Sequence, residues 1–196
     1  LCTTPSTAAD RPGRNMCRFT LILFLLTLLT LLGGCQLLAP AAPPLAAPLH
    51  SEHQLEHLLT LTRGDKQLRL RCVLETGNGE TRVVALNEAG LVLVQMRQNA
   101  QGLTVHRSAL LPDTFPAKQV MADIQLIFWP VSAIQATLPT AWSLGVEGDS
   151  RTLYHNDQPV TQVHYQGSPW QMPSALNNLR YRYQLTLTPL SPDATP

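Results

Sequence analysis

Six histidines, four cysteines and a serine in the triplet Gly148-Asp149-Ser150 are the residues of this chain whose types could support chemistry. His53 and His57 stand four apart, so on a helix they would share a face and offer two imidazoles to a metal. No third ligand motif follows, and both sit where a proline-rich stretch meets the first patterned segment, so a solvated junction is the expectation. His106, His155 and His164 each fall in a strand-like run with no Cys or acidic partner at ligand spacing. Ser150 would need a base and an oxyanion hole to become a nucleophile. It lies between two strand-like runs, where Gly-Asp-Ser is ordinary turn chemistry. Cys72 occupies the apolar register of Gln67–Glu75, which favours a small buried hydrophobe over a reactive thiol. There is no Gly-x-Ser-x-Gly, phosphate loop or dinucleotide fingerprint, so a non-enzyme without cofactor or metal is expected.

The cysteine with the clearest chemistry is Cys35. The run from Phe19 to Leu32 is apolar or hydroxylated throughout, Gly33 and Gly34 follow, and Leu32 stands three before the cysteine. This resembles the signal peptide and lipobox of a bacterial lipoprotein. Fourteen residues suit an export signal's apolar core, whereas a membrane span needs about 20. The resemblance implies diacylglycerol on the Cys35 thiol and cleavage just before it; an uncleaved anchor helix is the other reading, and both place the domain on a membrane. Met16 is the expected start, with residues 1–15 a non-native upstream extension and 16–34 the signal peptide. Gln36, rather than Asp, after the cysteine implies delivery to the outer membrane, on its periplasmic face.

Arg11, Arg14, Arg18 and Asp10 precede Cys35, leaving 11 cationic against 12 acidic side chains and a net charge of −1 in the processed chain. That balance argues against nucleic acid as a partner. Cys2 and Cys17 leave with the signal and Cys35 is modified, so no internal disulfide is expected. Residues 35–49 contain Pro40, Pro43, Pro44 and Pro48 and no charge, which reads as a tether. At roughly 3 Å per residue in extended form it would hold the domain some 40 Å from the bilayer.

Residues 50–190 read as a single β-rich domain, with 191–196 a disordered tail. Leu68, Leu70, Cys72 and Leu74 alternate with polar residues, and Gly77-Asn78-Gly79 turns the chain into Thr81–Leu86. Further turns lead into Leu91–Met96 and Leu103–Arg107, a meander. The period then becomes helical over Phe115–Trp129, with Asp113 or Thr114 as cap, and Pro130 ends or kinks it before a second short helix over Val131–Leu138. Strands resume at Trp142–Glu147, Arg151–His155 and Val160–Tyr165. A last strand places Leu179, Tyr181, Tyr183, Leu185 and Leu187 on one face. The fold class is therefore α+β, mainly antiparallel β. Met121, Ile124, Phe128, Trp129, Trp142, Tyr181 and Tyr183 are candidates to line an apolar cavity, though a core needs such residues too.

The lipobox, the Pro/Ala tether, the meander, the block Ala122-Asp-Ile-Gln-Leu-Ile-Phe-Trp-Pro130 and strands ending in Leu179-Arg-Tyr-Arg-Tyr183 are together similar to a family of uncharacterised bacterial lipoproteins associated with aryl-polyene biosynthesis. The element order also resembles the Lol carrier and its outer-membrane lipoprotein receptor. That implies a curved sheet, a half-barrel, covered by a short helical insert over a cavity for acyl or polyene chains. The implied function is non-enzymatic lipid or lipoprotein binding and transfer, with a periplasmic carrier protein as partner. No motif here matches the receptor's protruding apolar loop. Two alternatives stand beside it. One is an assembly lipoprotein docking a membrane complex through a sheet edge or the Arg69/Arg71 and Arg180/Arg182 faces. The other is a lipid esterase, since Gly148-Asp149-Ser150 resembles the nucleophile block of one esterase class, although there the serine is followed by Leu and here by Arg151.

Overall fold

The computed structural model of the chain describes residues 42–172 and 174–190. Cys35, the signal segment, residues 1–15 and the tail 191–196 lie outside the described residues. Among the described residues no helix is long and apolar enough to cross a membrane.

Two antiparallel meanders are joined by a helical insert. The first comprises β1 (His53–Arg63), β2 (Lys66–Gly77), β3 (Glu80–Leu86), β4 (Val92–Asn99) and β5 (Gly102–Arg107). The insert holds α1 (Ala117–Phe128) and α2 (Val131–Gln135). The second meander comprises β6 (Trp142–Glu147), β7 (Ser150–His155), β8 (Gln158–Tyr165), β9 (Ser174–Asn178) and β10 (Tyr183–Pro189). They form one open ten-stranded sheet in the order β5-β4-β3-β2-β1-β10-β9-β8-β7-β6, so the expected mainly antiparallel β class is observed. Tight turns set the register. Asn78 and Gly79, between β2 and β3, both have positive φ (52° and 73°), the conformation of a two-residue hairpin whose twist matches its strands. Asn156 and Asp157 do the same between β7 and β8 without a glycine.

Period-two burial puts Leu55, His57 and Leu59 of β1, Cys72 and Leu74 of β2, Val83 and Ala85 of β3, Met96 of β4, Val163 of β8, Leu176 of β9 and Leu185 and Leu187 of β10 on one inner face. The helical insert supplies the other half of this core: Met121, Ile127 and Trp129 have no exposed surface, and Ile124 and Phe128 are 5% and 4% exposed.

Four expectations are corrected. Residues 53–63 are a strand rather than a helical or solvated junction. His57 faces inward at 4% exposure, its ring edge-on to Phe128 with centroids 5.6 Å apart. His53 stacks on Trp170 at 4.1 Å. The last strand is two strands, because the Asn178 carboxamide accepts the Tyr181 N–H (2.9 Å) and Arg182 takes φ 56°, turning the chain over 179–182. Neither Asp113 nor Thr114 caps α1. Pro116 precedes it with no side-chain cap, and the Asp113 carboxylate instead pairs with Arg107. Finally, residues 42–49 are extended, as their prolines demand, but are not a free tether. They lie against α1 and belong with the domain, and Leu49 and His50 offer their carbonyls to Gly79 and Asn78.

Candidate functional site

Helix α1 carries the chain's least expected chemistry. Nine of its twelve residues, Gln119 and Met121–Phe128, are buried. Three of the nine are polar: Gln119, and Asp123 and Gln125 within a run that is otherwise apolar from Val120 to Trp129. A buried polar group costs about 1–3 kcal/mol if unpaired, so each must be matched. Each is: Gln119 pairs with Asp123 within the helix, and the other partners of Asp123 and Gln125 come from distant elements.

The first cluster centres on Asp123, 3% exposed. Gln119, one turn earlier, donates to its Oδ1 at 2.8 Å, and the Tyr183 hydroxyl of β10 donates to its Oδ2. Asn178 of β9 donates to the Tyr183 oxygen at 3.2 Å and to Thr161 Oγ1 of β8 at 3.3 Å. Burial raises the Asp123 carboxyl from 3.8 to about 7, against the opposing pull of these hydrogen bonds. Burial and the neighbouring carboxyl together push the Tyr183 phenol above its usual range.

The second cluster fixes residues 42–49. Gln125 Oε1 accepts the Ala46 N–H at 2.8 Å, while Gln125 Nε2 (3.0 Å) and Gln98 Nε2 of β4 (2.8 Å) donate to the Ala46 carbonyl. Gln125 Nε2 also donates to Gln98 Oε1, and the Trp129 indole N–H donates to the Ala47 carbonyl, both at 2.8 Å.

The third cluster closes the C-terminal end of α1, where the last carbonyls lack intrahelical partners. Arg151 Nη1 of β7 donates to the carbonyls of Leu126 (3.0 Å) and Trp129 (2.7 Å). The Tyr165 hydroxyl of β8 donates to those of Leu126 (3.1 Å) and Ile127 (2.8 Å), and the guanidinium lies 5.1 Å from the Tyr165 ring centroid. A cation at this helix end also complements the helix dipole. Trp129 itself turns extended before Pro130, which cannot continue the helix.

The seven residues put forward as cavity lining divide accordingly. Met121, Ile124, Phe128 and Trp129 pack as core on α1 and at its end. Trp142 is buried beside His155, ring centroids 4.5 Å apart. Tyr183 serves the Asp123 cluster, and Tyr181 stands in the β9–β10 turn instead of on the inner strand face. The space enclosed between residues 43–46, α1, Ile134, Leu138 and Leu153 measures about 10 Å³, room for one water at most. Among the described residues, this space beneath α1 is filled by the chain itself.

A larger concavity, about 550 Å³, is a polar surface groove at the β2–β3 turn lined by Glu52, His53, Glu75, Glu80 and Arg82 among others. Glu80 there is paired with Arg82 and Arg97. Among the described residues no group of three or more His, Cys, Asp or Glu side chains is placed to hold a metal. Cys72 is buried, and its thiol is pushed up to about 12 by that burial, which suppresses the nucleophilic thiolate.

Ser150 does have a basic neighbour that sequence spacing hid. His164 lies directly across the β7–β8 ladder and its Nδ1 is 2.8 Å from Ser150 Oγ. The pair faces solvent on the side of the sheet opposite α1. Among the described residues no carboxylate hydrogen-bonds the other ring nitrogen to orient the base, as a nucleophilic triad requires.

These elements match a family model described as "Protein of unknown function (DUF3261)" over residues 54–191. The chain belongs to this family. The region shared with the DUF3261 family takes in every strand but the first residue of β1, together with α1 and α2, and it stops short of the docked segment 42–49. No curated protein matches the chain.

Proposed function

We propose that this chain is a non-enzymatic lipoprotein, anchored through Cys35 at the periplasmic face of the outer membrane, that binds lipid or lipoprotein acyl chains and hands them on. In this reading the open sheet acts as a half-barrel of the Lol-carrier kind. Helix α1 and residues 42–49 are its movable filling, and a periplasmic carrier protein is the source or acceptor of cargo. An acyl or polyene lipid is the cargo class.

The supporting observation is the polar seam of Gln119, Asp123 and Gln125 within an apolar interior. A satisfied hydrogen bond contributes only about 1 kcal/mol net, because the same groups bond to water when exposed. An element held partly by such bonds separates from the sheet at lower cost than one held wholly by apolar contact. The inner face it uncovers, with Leu59, Leu74, Met96, Leu176, Leu185 and Leu187, would gain about 0.8 kcal/mol per methylene of an inserted acyl chain.

The test is native mass spectrometry and solvent extraction of the exported Cys35→Ser chain, followed by titration with an apolar fluorescent probe. Co-purifying acyl or polyene lipid, or saturable probe uptake, supports the reading. An empty domain that takes up no probe refutes it and favours docking onto a membrane complex. For that rival the structure offers two sheet edges, β5 and β6. Its arginine faces are already engaged in part, Arg71 with Glu56 and Arg180 over the Trp142 ring.

A further inference from the structure

Residues 42–49 are held by groups that read peptide backbone. Gln125 addresses one residue, Ala46, from both sides, accepting its N–H and donating to its carbonyl, as a neighbouring strand would. Gln98 donates to the same carbonyl, and Trp129 to the next one. With residues 42–49 in place, Gln98, Gln125 and Trp129 are 6%, 2% and 0% exposed, so the contacts are made out of reach of water. None of these contacts depends on the side chain of the bound segment. Ala46 presents only a methyl group, and Pro43 and Pro44 lie against Ala122, Leu126, Ile134 and Leu153. Proline suits that wall because it is already extended and brings no N–H to be left unpaired. All three receptor residues fall inside the family match, and the occupant falls outside it.

We propose that Gln98, Gln125 and Trp129 form a binding cleft for an extended, uncharged Pro/Ala-rich peptide. The chain's own residues 42–49 are its occupant, bound as a displaceable segment. The inference does not depend on whether the interior also accepts lipid.

The experiment starts from the non-lipidated full chain carrying a specific protease site between the exposed residues Ser51 and Glu52. The folded protein is cleaved, and a fluorescent synthetic peptide of residues 40–50 is followed by anisotropy. Saturable binding, reversed by unlabelled peptide and weakened about tenfold or more when the peptide carries Ala46→Pro, supports the cleft, because that change deletes the N–H that Gln125 accepts. Absence of exchange, or equal binding of both peptides, overturns it. Loss of the β-sheet circular dichroism signal on cleavage overturns it equally, since residues 42–49 would then be an integral part of the fold.

Discussion

Asp123 makes the stability of this domain fall as pH rises, and the size of the effect follows from its surroundings. In the unfolded chain its carboxyl titrates near 3.8, and in the folded chain at about 7. Between those values the folded state holds a proton that the unfolded state has released, so the stabilisation is complete below about 4 and lost progressively up to about 7. Each unit corresponds to about 1.4 kcal/mol until the folded carboxyl itself ionises, so between pH 5 and pH 7 the domain loses roughly 2 kcal/mol through this residue. Asp123→Asn removes the titration while keeping an acceptor for Gln119 and a donor toward the Tyr183 oxygen. Urea unfolding of both proteins at half-unit pH steps from 5 to 8.5, with the m-value checked for constancy, gives the difference in unfolding free energy. That difference is expected to shift in favour of the Asn variant by roughly 2 kcal/mol between pH 5 and pH 7 and to level off above 8. Other titrating groups are common to both proteins and cancel. A difference that stays constant with pH would show that Asp123 is ionised in the folded state and refute the argument.

The remaining predictions use the same kind of reasoning. Burial lowers the His57 pKa below 6.5, so the folded state resists protonation and stability drops as pH falls below that value; His57→Leu should flatten this acid limb in the same urea series. Arg151→Leu leaves the Leu126 and Trp129 carbonyls with one donor fewer each and should cost about 2–3 kcal/mol, read as a lower urea midpoint, whereas Arg151→Lys should recover only part of it. Ser150→Ala should leave both stability and any ester turnover by the purified domain unchanged, because the Ser150–His164 pair faces solvent without an orienting carboxylate; a loss of turnover would restore the esterase reading.

Much of the sheet was legible because alternation in β2 and β10 is strict and Asn78-Gly79 is a strong turn signal. The helix pair was legible from the change of period and from Pro130. What the residues did not disclose depended on pairing at a distance. His53 and His57 sit two strand periods apart as readily as one helical turn apart, and only the β1–β2 and β1–β10 ladders settle which. The β9–β10 turn rests on one carboxamide, Asn178, inside a run whose alternation continues through it. The docked segment 42–49 was read as a spacer because its receptor groups, Gln98 and Gln125, lie 52 and 79 residues away. One local signal pointed at the site: Asp123 and Gln125 interrupt an apolar helical run, and polar residues there require partners.

The order of the strands also dictates a schedule of assembly. Each meander pairs neighbours in sequence, so each can form soon after its residues are made, yet β1 at the centre of the sheet waits for β10, whose register joins His57 to Pro189. Until the last strand arrives, β1 presents a long, unpaired edge beside Leu55, Leu59 and Leu61, the kind of edge that recruits other chains. Chains that lose their final seven strand residues should therefore fail by aggregating, even with both helices and nine strands intact. Strand β10 is the closing stitch of the sheet, and quality control of this protein falls on its arrival.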